Sequence, residues 1–199
     1  MTEDDARADL AYIRRLLEDT RHVTCVSGGY FVVWGVATLL GLLMTWGWLA
    51  GNWTLAPLVA WSGCFVLGAA ATFLLVRRES RAPARRFGGT LIGAVWLSMS
   101  IAMLIILFIG VGSGNLDGRN MSALASTLVG GAVFMTGTLA GMAWLRNLAF
   151  AWWAGASVMF AWPGGYVLPL TGLMVLALYV VPGLFLIRMR RRQNVAASR

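Results

Sequence analysis

Lysine is missing from this 199-residue chain altogether, histidine occurs once, cysteine twice, and only 12% of the residues carry charge. Each shortage excludes a chemistry. Without lysine there is no intramembrane Schiff base. A single histidine, His22, supplies no pair of ligands for haem or zinc, and its place at the cytoplasmic edge leaves no Ser and His dyad within the membrane. The scarcity of charge sets the class: against 59% hydrophobic residues, it leaves too little polar surface to cover a soluble domain. The solvent that suits this composition is lipid.

What the chain has in quantity is long apolar runs. A spanning helix takes roughly 20 mostly apolar residues, and the runs fall at about 24–49, 54–76, 88–112, 121–143, 148–162 and 166–187. The sequence therefore predicts an all-α fold, a polytopic bundle of six transmembrane helices, followed by a basic tail over 188–199. The fifth run is short. Its 15 residues rise only ~22 Å, against a hydrocarbon core of ~30 Å, so a re-entrant segment has to be weighed. Arginine placement weighs against it, because cytoplasmic loops collect arginine. Six spans with the start inside leave 15 of the 16 arginines in the cytoplasm and only Arg119 outside. Five spans would put Arg188, Arg190, Arg191 and Arg192 on the far side. Trp46, Trp48, Trp53, Trp162 and Tyr166 all fall at the outer ends of their runs, where interfacial aromatics belong.

Residues 1–23 precede the first run. They are rich in acids, and the run that follows is about twice the length of a signal h-region, so a cleaved signal peptide is not expected. Leu10, Ile13 and Leu17 repeat at helical spacing behind a Thr2 and Asp5 pair that resembles a capping box. This segment reads as a cytoplasmic amphipathic helix. It either lies along the membrane or offers Leu10, Ile13 and Leu17 as a docking face to a partner.

No Asp, Glu, Arg, His or Lys falls inside any of the six runs. Buried charges mark proton relays, ion sites and counter-ions, and their lack argues against ion-coupled transport and catalysis. Gly112, Ser113 and Gly114 approach an intramembrane protease pattern, but Val111 stands where that pattern needs glycine and no base faces the serine. These residues read as an outer turn. Cys25 and Cys64 lie ~15 to 20 Å apart along the membrane normal at 1.5 Å per residue, too far for a disulfide. Neither a catalytic residue, a metal site nor a cofactor is expected, and nothing points to nucleic acid.

Three features can carry contacts. The arginines Arg77, Arg78, Arg81, Arg85 and Arg86, with Arg188, Arg190, Arg191 and Arg192 in the tail, attract anionic headgroups, although topology signalling alone would also place them there. Trp34, Trp96 and Trp153 recur in the inner half of the odd spans, suggesting three tandem helical hairpins; they either line an apolar pocket or pack in the core. Gly89 with Gly93, and Gly137 with Gly141, stand in GxxxG spacing, which lets helices approach closely. Pro169 and Pro182 are expected to kink the last span, and Pro182 with Gly183 to hinge the tail.

Asp9 to Arg14 ahead of Trp34 and Gly35, the pair Trp152 and Trp153, and the closing Tyr179, Val180, Val181, Pro182 and Gly183 resemble an uncharacterised family of bacterial six-span integral membrane proteins. The resemblance implies the same architecture and a bacterial cytoplasmic membrane with both termini inside, and it carries no site. The function expected from the residues is non-enzymatic: an accessory or regulatory subunit, or a homo-oligomer, acting through helix and lipid contacts. The rival is a small transporter or a protein handling lipid or another hydrophobic molecule.

Overall fold

The protein is described by a computed structural model covering residues 27–79 and 86–197. Among these residues there are helices, turns and no strand. In lipid, backbone N–H and C=O groups have no water to bond, and a helix satisfies them within its own segment. Six long helices result. They are α1 (Gly28–Leu49), α2 (Pro57–Glu79), α3 (Arg86–Leu104, running on through a π-helical stretch Ile105–Val111), α4 (Met121–Leu139) and α5 (Ala143–Ala161). The last, α6, begins as Val167–Val175, widens to a π-helix over Leu176–Val180 and continues as Val181–Ala197.

Five stretches, Gly28–Leu49, Pro57–Arg77, Gly89–Val111, Gly118–Leu139 and Val167–Arg190, are long and apolar enough to cross a membrane. The chain is an integral membrane protein. The helix outside this group is α5, whose first turn holds Arg146 and Asn147. Its 19 residues rise about 28 Å. The apolar run predicted for this region starts at residue 148; the helix starts five residues earlier because arginine and alanine are good helix formers whatever their hydropathy. The amphipathic segment 1–23, with Leu10, Ile13 and Leu17, lies outside the described residues.

Glycine terminates two of the helices. Gly141 adopts φ +66, a left-handed conformation that costs glycine little, and Met142 N–H donates to the Gly137 carbonyl at 2.8 Å. This is the Schellman arrangement, and it stops α4 at Leu139, short of the predicted 143. Gly51, at φ +72, does the same after α1, with Asn52 N–H donating to the Gly47 carbonyl at 3.0 Å.

The core is built by α1, α4, α5 and α6; α2 packs on α1, and α3 chiefly on α4. Leu145, Ala149, Trp152, Ala156 and Met159 of α5 are all buried at alternating spacings of four and three, the pattern of a helix seam. Thus a helix with a polar first turn still carries a continuous buried seam. On the other side of the centre, α1 crosses α6 at a pair of glycines. A Cβ on Gly183 would stand 2.8 Å from Phe31 Cβ, and one on Gly28 would stand 2.9 Å from Leu186 Cβ.

Gly183 therefore serves close packing rather than a hinge. Pro169 is the third residue of α6, where a missing N–H removes no intrahelical bond, so it introduces no kink. Pro182 does remove one, and the wide turns of Leu176–Val180 immediately precede it; Val181 N–H reaches back to the Leu176 carbonyl.

Candidate functional site

Trp34, Trp96 and Trp153 occupy three different settings. Trp34 Nε1 donates to Thr72 Oγ1 of α2 at 3.0 Å, and its ring meets Phe65 edge-on at 5.6 Å. Gly68 makes room for that ring, since a Cβ there would stand 3.1 Å from it. Trp96 Nε1 donates to Thr136 Oγ1 of α4 at 3.0 Å. The first two hairpins thus share one device, a tryptophan on the first helix bonded to a threonine on the second. The third departs from it: Trp153 Nε1 donates backwards, to the Thr127 carbonyl of α4, at 3.2 Å. Its ring packs against Phe134 and Phe150.

The residues that do converge are Phe31, Trp96, Trp152 and Tyr179, one each from α1, α3, α5 and α6. Tyr179 is the hub. Its ring centroid lies 4.9 Å from Phe31, 5.8 Å from Trp96 and 6.2 Å from Trp152, within the range of favourable ring contacts. The centre is filled by rings that tie four helices together. Two of its buried polar atoms, Trp152 Nε1 and Ser126 Oγ, have no hydrogen-bond partner. Of the hub, the sequence reading singled out only Trp96 as a site residue. The doublet Trp152 and Trp153 and a tyrosine far from either end of the last run were the signals that could have found two more.

Chemistry beyond packing has little to work with here. Ser113 Oγ donates to the Gly110 carbonyl at 3.3 Å and accepts from Asn115 Nδ2 at 2.9 Å, an exposed turn with amide and carbonyl neighbours. Among the described residues no group of three His, Cys, Asp or Glu could hold a metal ion. Two open grooves run along the bundle. One, about 320 Å³, lies between α1 and α2 and is lined by Val33, Val36, Leu40, Cys64 and Gly68. The other, about 420 Å³, lies between α1 and α6 and includes Trp46, Leu168 and Pro169. Both are lined almost wholly by apolar groups.

Among the described residues, the arginines other than Arg119 lie at the starts of α3 and α5 and in the closing parts of α2 and α6. Arg77 sits 4.2 Å over the Phe73 ring, a cation–π contact that keeps its stem along the apolar helix. Arg188 and Arg192 are exposed, and Arg190 is half-buried. Arg78 lies on the closing turn of α2, Arg191 within the last two turns of α6, and Arg86 opens α3; Arg81 and Arg85 are outside the described residues. The sequence reading passed over Arg146, which is exposed in the first turn of α5. Nearby, Trp144 of α5 meets Phe185 of α6 edge-on at 5.6 Å. At the opposite end Trp46, Trp48, Trp53, Trp162 and Tyr166 are all exposed.

The chain matches no protein-family model, no curated protein and no solved structure. Its function has to be argued from the geometry alone. That geometry offers a ring-filled centre, two poorly covered helices and one end rich in arginine.

Proposed function

We propose that this is a six-span protein of a bacterial cytoplasmic membrane, with both termini inside, that acts without catalysis through contacts of its spans. Its role is that of an accessory or regulatory subunit, or of a homo-oligomer. The observation that carries the reading is the uneven cover of its helices. Only 6% of an 18-residue apolar window within Gly89–Val111 and 11% of one within Pro57–Arg77 are buried inside the protein, against 44% of one within Val167–Arg190. The centre, meanwhile, is packed with rings, and among the described residues it holds no ionisable side chain besides the Tyr179 phenol. The working surfaces are then the outer faces of α2 and α3, which meet lipid or another membrane protein.

The experiment is extraction of the full chain into native-membrane discs, followed by mass measurement and identification of whatever is retained. A homo-oligomer of fixed stoichiometry or a stoichiometric partner protein is expected. A bare monomer under these conditions would overturn the reading. The lipid-handling alternative is favoured by one observation, the apolar groove between α1 and α2 beside Trp34. Retention of one hydrophobic small molecule per chain, lost on Gly68→Leu, would support that alternative instead.

A further inference from the structure

We infer that the acid-rich segment preceding α1 docks on the arginine-bearing extension of α6, with Glu18 and Asp19 set against Arg190 and Arg192. The inference needs neither a given number of spans nor a partner, because contacts inside the bundle already join the start of α1 to α6.

Those two helices run antiparallel. Gly35 lies against Tyr179 and Val180, Phe31 and Val32 against Gly183, and Gly28 against Leu186 and Ile187. Each turn toward the start of α1 is thus matched by one toward the end of α6. Arg190 stands seven residues beyond Gly183, and two turns of 3.6 residues return it to the same face. At that level α1 has no turn left to offer, since it begins at Gly28, whereas α6 continues to Ala197. The chain attached at this point is residues 1–26. Its root is fixed, for Ser27 is buried and its carbonyl accepts from Tyr30 N–H at 3.2 Å. On the other flank, a Cβ on Gly29 would stand 3.4 Å from Leu75 of α2, two residues before Arg77. The segment therefore joins the bundle between the arginines of α2 and those of α6.

Six of the chain's eight acids lie within residues 1–23. The other two are Glu79, which ends α2, and Asp117, which accepts from Arg119 N–H at 2.9 Å at the opposite end of the bundle. From residue 118 onward there are seven arginines and no acid, so α6 has no carboxylate of its own. Arg188 and Arg192 are exposed, and Arg190 is half-buried. Lipid headgroups suit only the first of these. The last apolar run ends at Ile187, and Arg192 stands about 8 Å beyond it, at the outer limit of a headgroup layer about 5–8 Å thick. A tethered carboxylate can follow the helix outward. Asp19 lies eight residues before Ser27 and Glu18 nine, a reach of about 12–14 Å as helix and about twice that when extended. Either conformation spans the distance to Arg192. Tethering makes the encounter intramolecular, which lets exposed ion pairs that are individually weak hold a segment in place.

The test uses the full chain in phosphatidylcholine discs, with Cys25 and Cys64 replaced by alanine and spin labels on Thr20→Cys and Ala196→Cys. Double electron–electron resonance reads the distance between them. A single narrow distance is expected. Glu18→Lys with Asp19→Lys is expected to lower the ratio of docked to released chains roughly tenfold. Salt at about 1 M, where the screening length falls to about 3 Å, should shift the parent chain the same way. Adding Arg190→Glu and Arg192→Glu to the lysine pair is expected to restore the narrow distance, a rescue that a damaged fold would not give.

A broad distribution in the parent chain, or a narrow one unchanged by the lysine pair, would overturn the inference. So would a narrow distance that appears only in discs containing phosphatidylglycerol, which would place the segment on the membrane surface. An equal signal from a mixture of singly labelled chains would assign the contact to a second copy and overturn it too. None of these outcomes bears on the oligomer or partner sought in native discs, so this inference and the proposed function fail separately.

Discussion

Gly28 and Gly183 set how closely the first and last helices approach. A Cβ on Gly28 would stand 2.9 Å from Ile187 N as well as from Leu186 Cβ, and the atoms it meets belong largely to backbone, which cannot rotate away. Alanine at either position therefore forces α1 and α6 apart, and overpacking of this kind costs about 1–3 kcal/mol. Gly89 and Gly93 are the contrast. Open space surrounds both positions, and alanine in a helix is favoured over glycine by up to about 1 kcal/mol. Unfolding midpoints of the full chain in one detergent are expected to fall for Gly28→Ala and Gly183→Ala, and to hold or rise for Gly89→Ala and Gly93→Ala. The reverse order would show that the crossing has been misidentified. This distinction was not legible in the sequence. GxxxG spacing pointed to Gly89 with Gly93 and to Gly137 with Gly141, yet the first pair meets open space, and of the second Gly137 does bring α4 against the backbone of Arg146 while Gly141 makes the turn. Spacing describes one face of one helix, whereas the Gly28 and Gly183 contact joins the two ends of the chain.

At the scale of helices, the hydrogen bond from Trp96 to Thr136 ties α3 to the bundle. Thr136 is fully buried and donates its own proton to the Ala132 carbonyl at 2.7 Å, leaving its oxygen to accept from the indole. Thr136→Val keeps the shape and removes the acceptor, leaving a donor unpaired away from water. The expected loss is about 1–2 kcal/mol. It should appear as faster hydrogen exchange over residues 89–104 in lipid discs, with α1 unaffected. Thr136→Ser should exchange like the parent chain, and Trp96→Phe combined with Thr136→Val should be milder than Thr136→Val alone, because no donor is then stranded. Exchange in Thr136→Val indistinguishable from the parent would remove this bond from the account. The long apolar helices were legible in the sequence, because lipid-facing runs are long and unbroken. The sequence reading misjudged where α4 ends and α5 begins. Hydropathy records how much of a segment suits lipid, while helix ends are set by backbone conformation at residues such as Gly141.

On the scale of the whole molecule, the composition declared a membrane protein at once, but a bundle whose centre is closed by uncharged rings leaves few marks of purpose in its sequence. Phe31, Trp152 and Tyr179 are ordinary apolar or aromatic residues until the fold brings them together. Topology is the global property that can be decided most directly, and α5 decides it. Its buried seam and its rise of about 28 Å suit a full crossing, and Arg146 stands at its start, where a long side chain can reach the surface. If α5 crosses, the loop at Pro163, Gly164 and Gly165 lies on the same side as Ser113, and Arg192 lies opposite. If it does not cross, Gly164 stays with Arg146 and the tail changes sides. In a chain with Cys25 and Cys64 replaced by alanine, single cysteines at Ser113, Gly164 and Arg192 separate the cases by labelling intact cells with a membrane-impermeant maleimide. Ser113→Cys and Gly164→Cys are expected to react from outside, and Arg192→Cys only after permeabilisation. Protection of Gly164→Cys together with labelling of Arg192→Cys would establish five crossings, and would place the arginines of the tail on the side that the distribution of charge otherwise avoids.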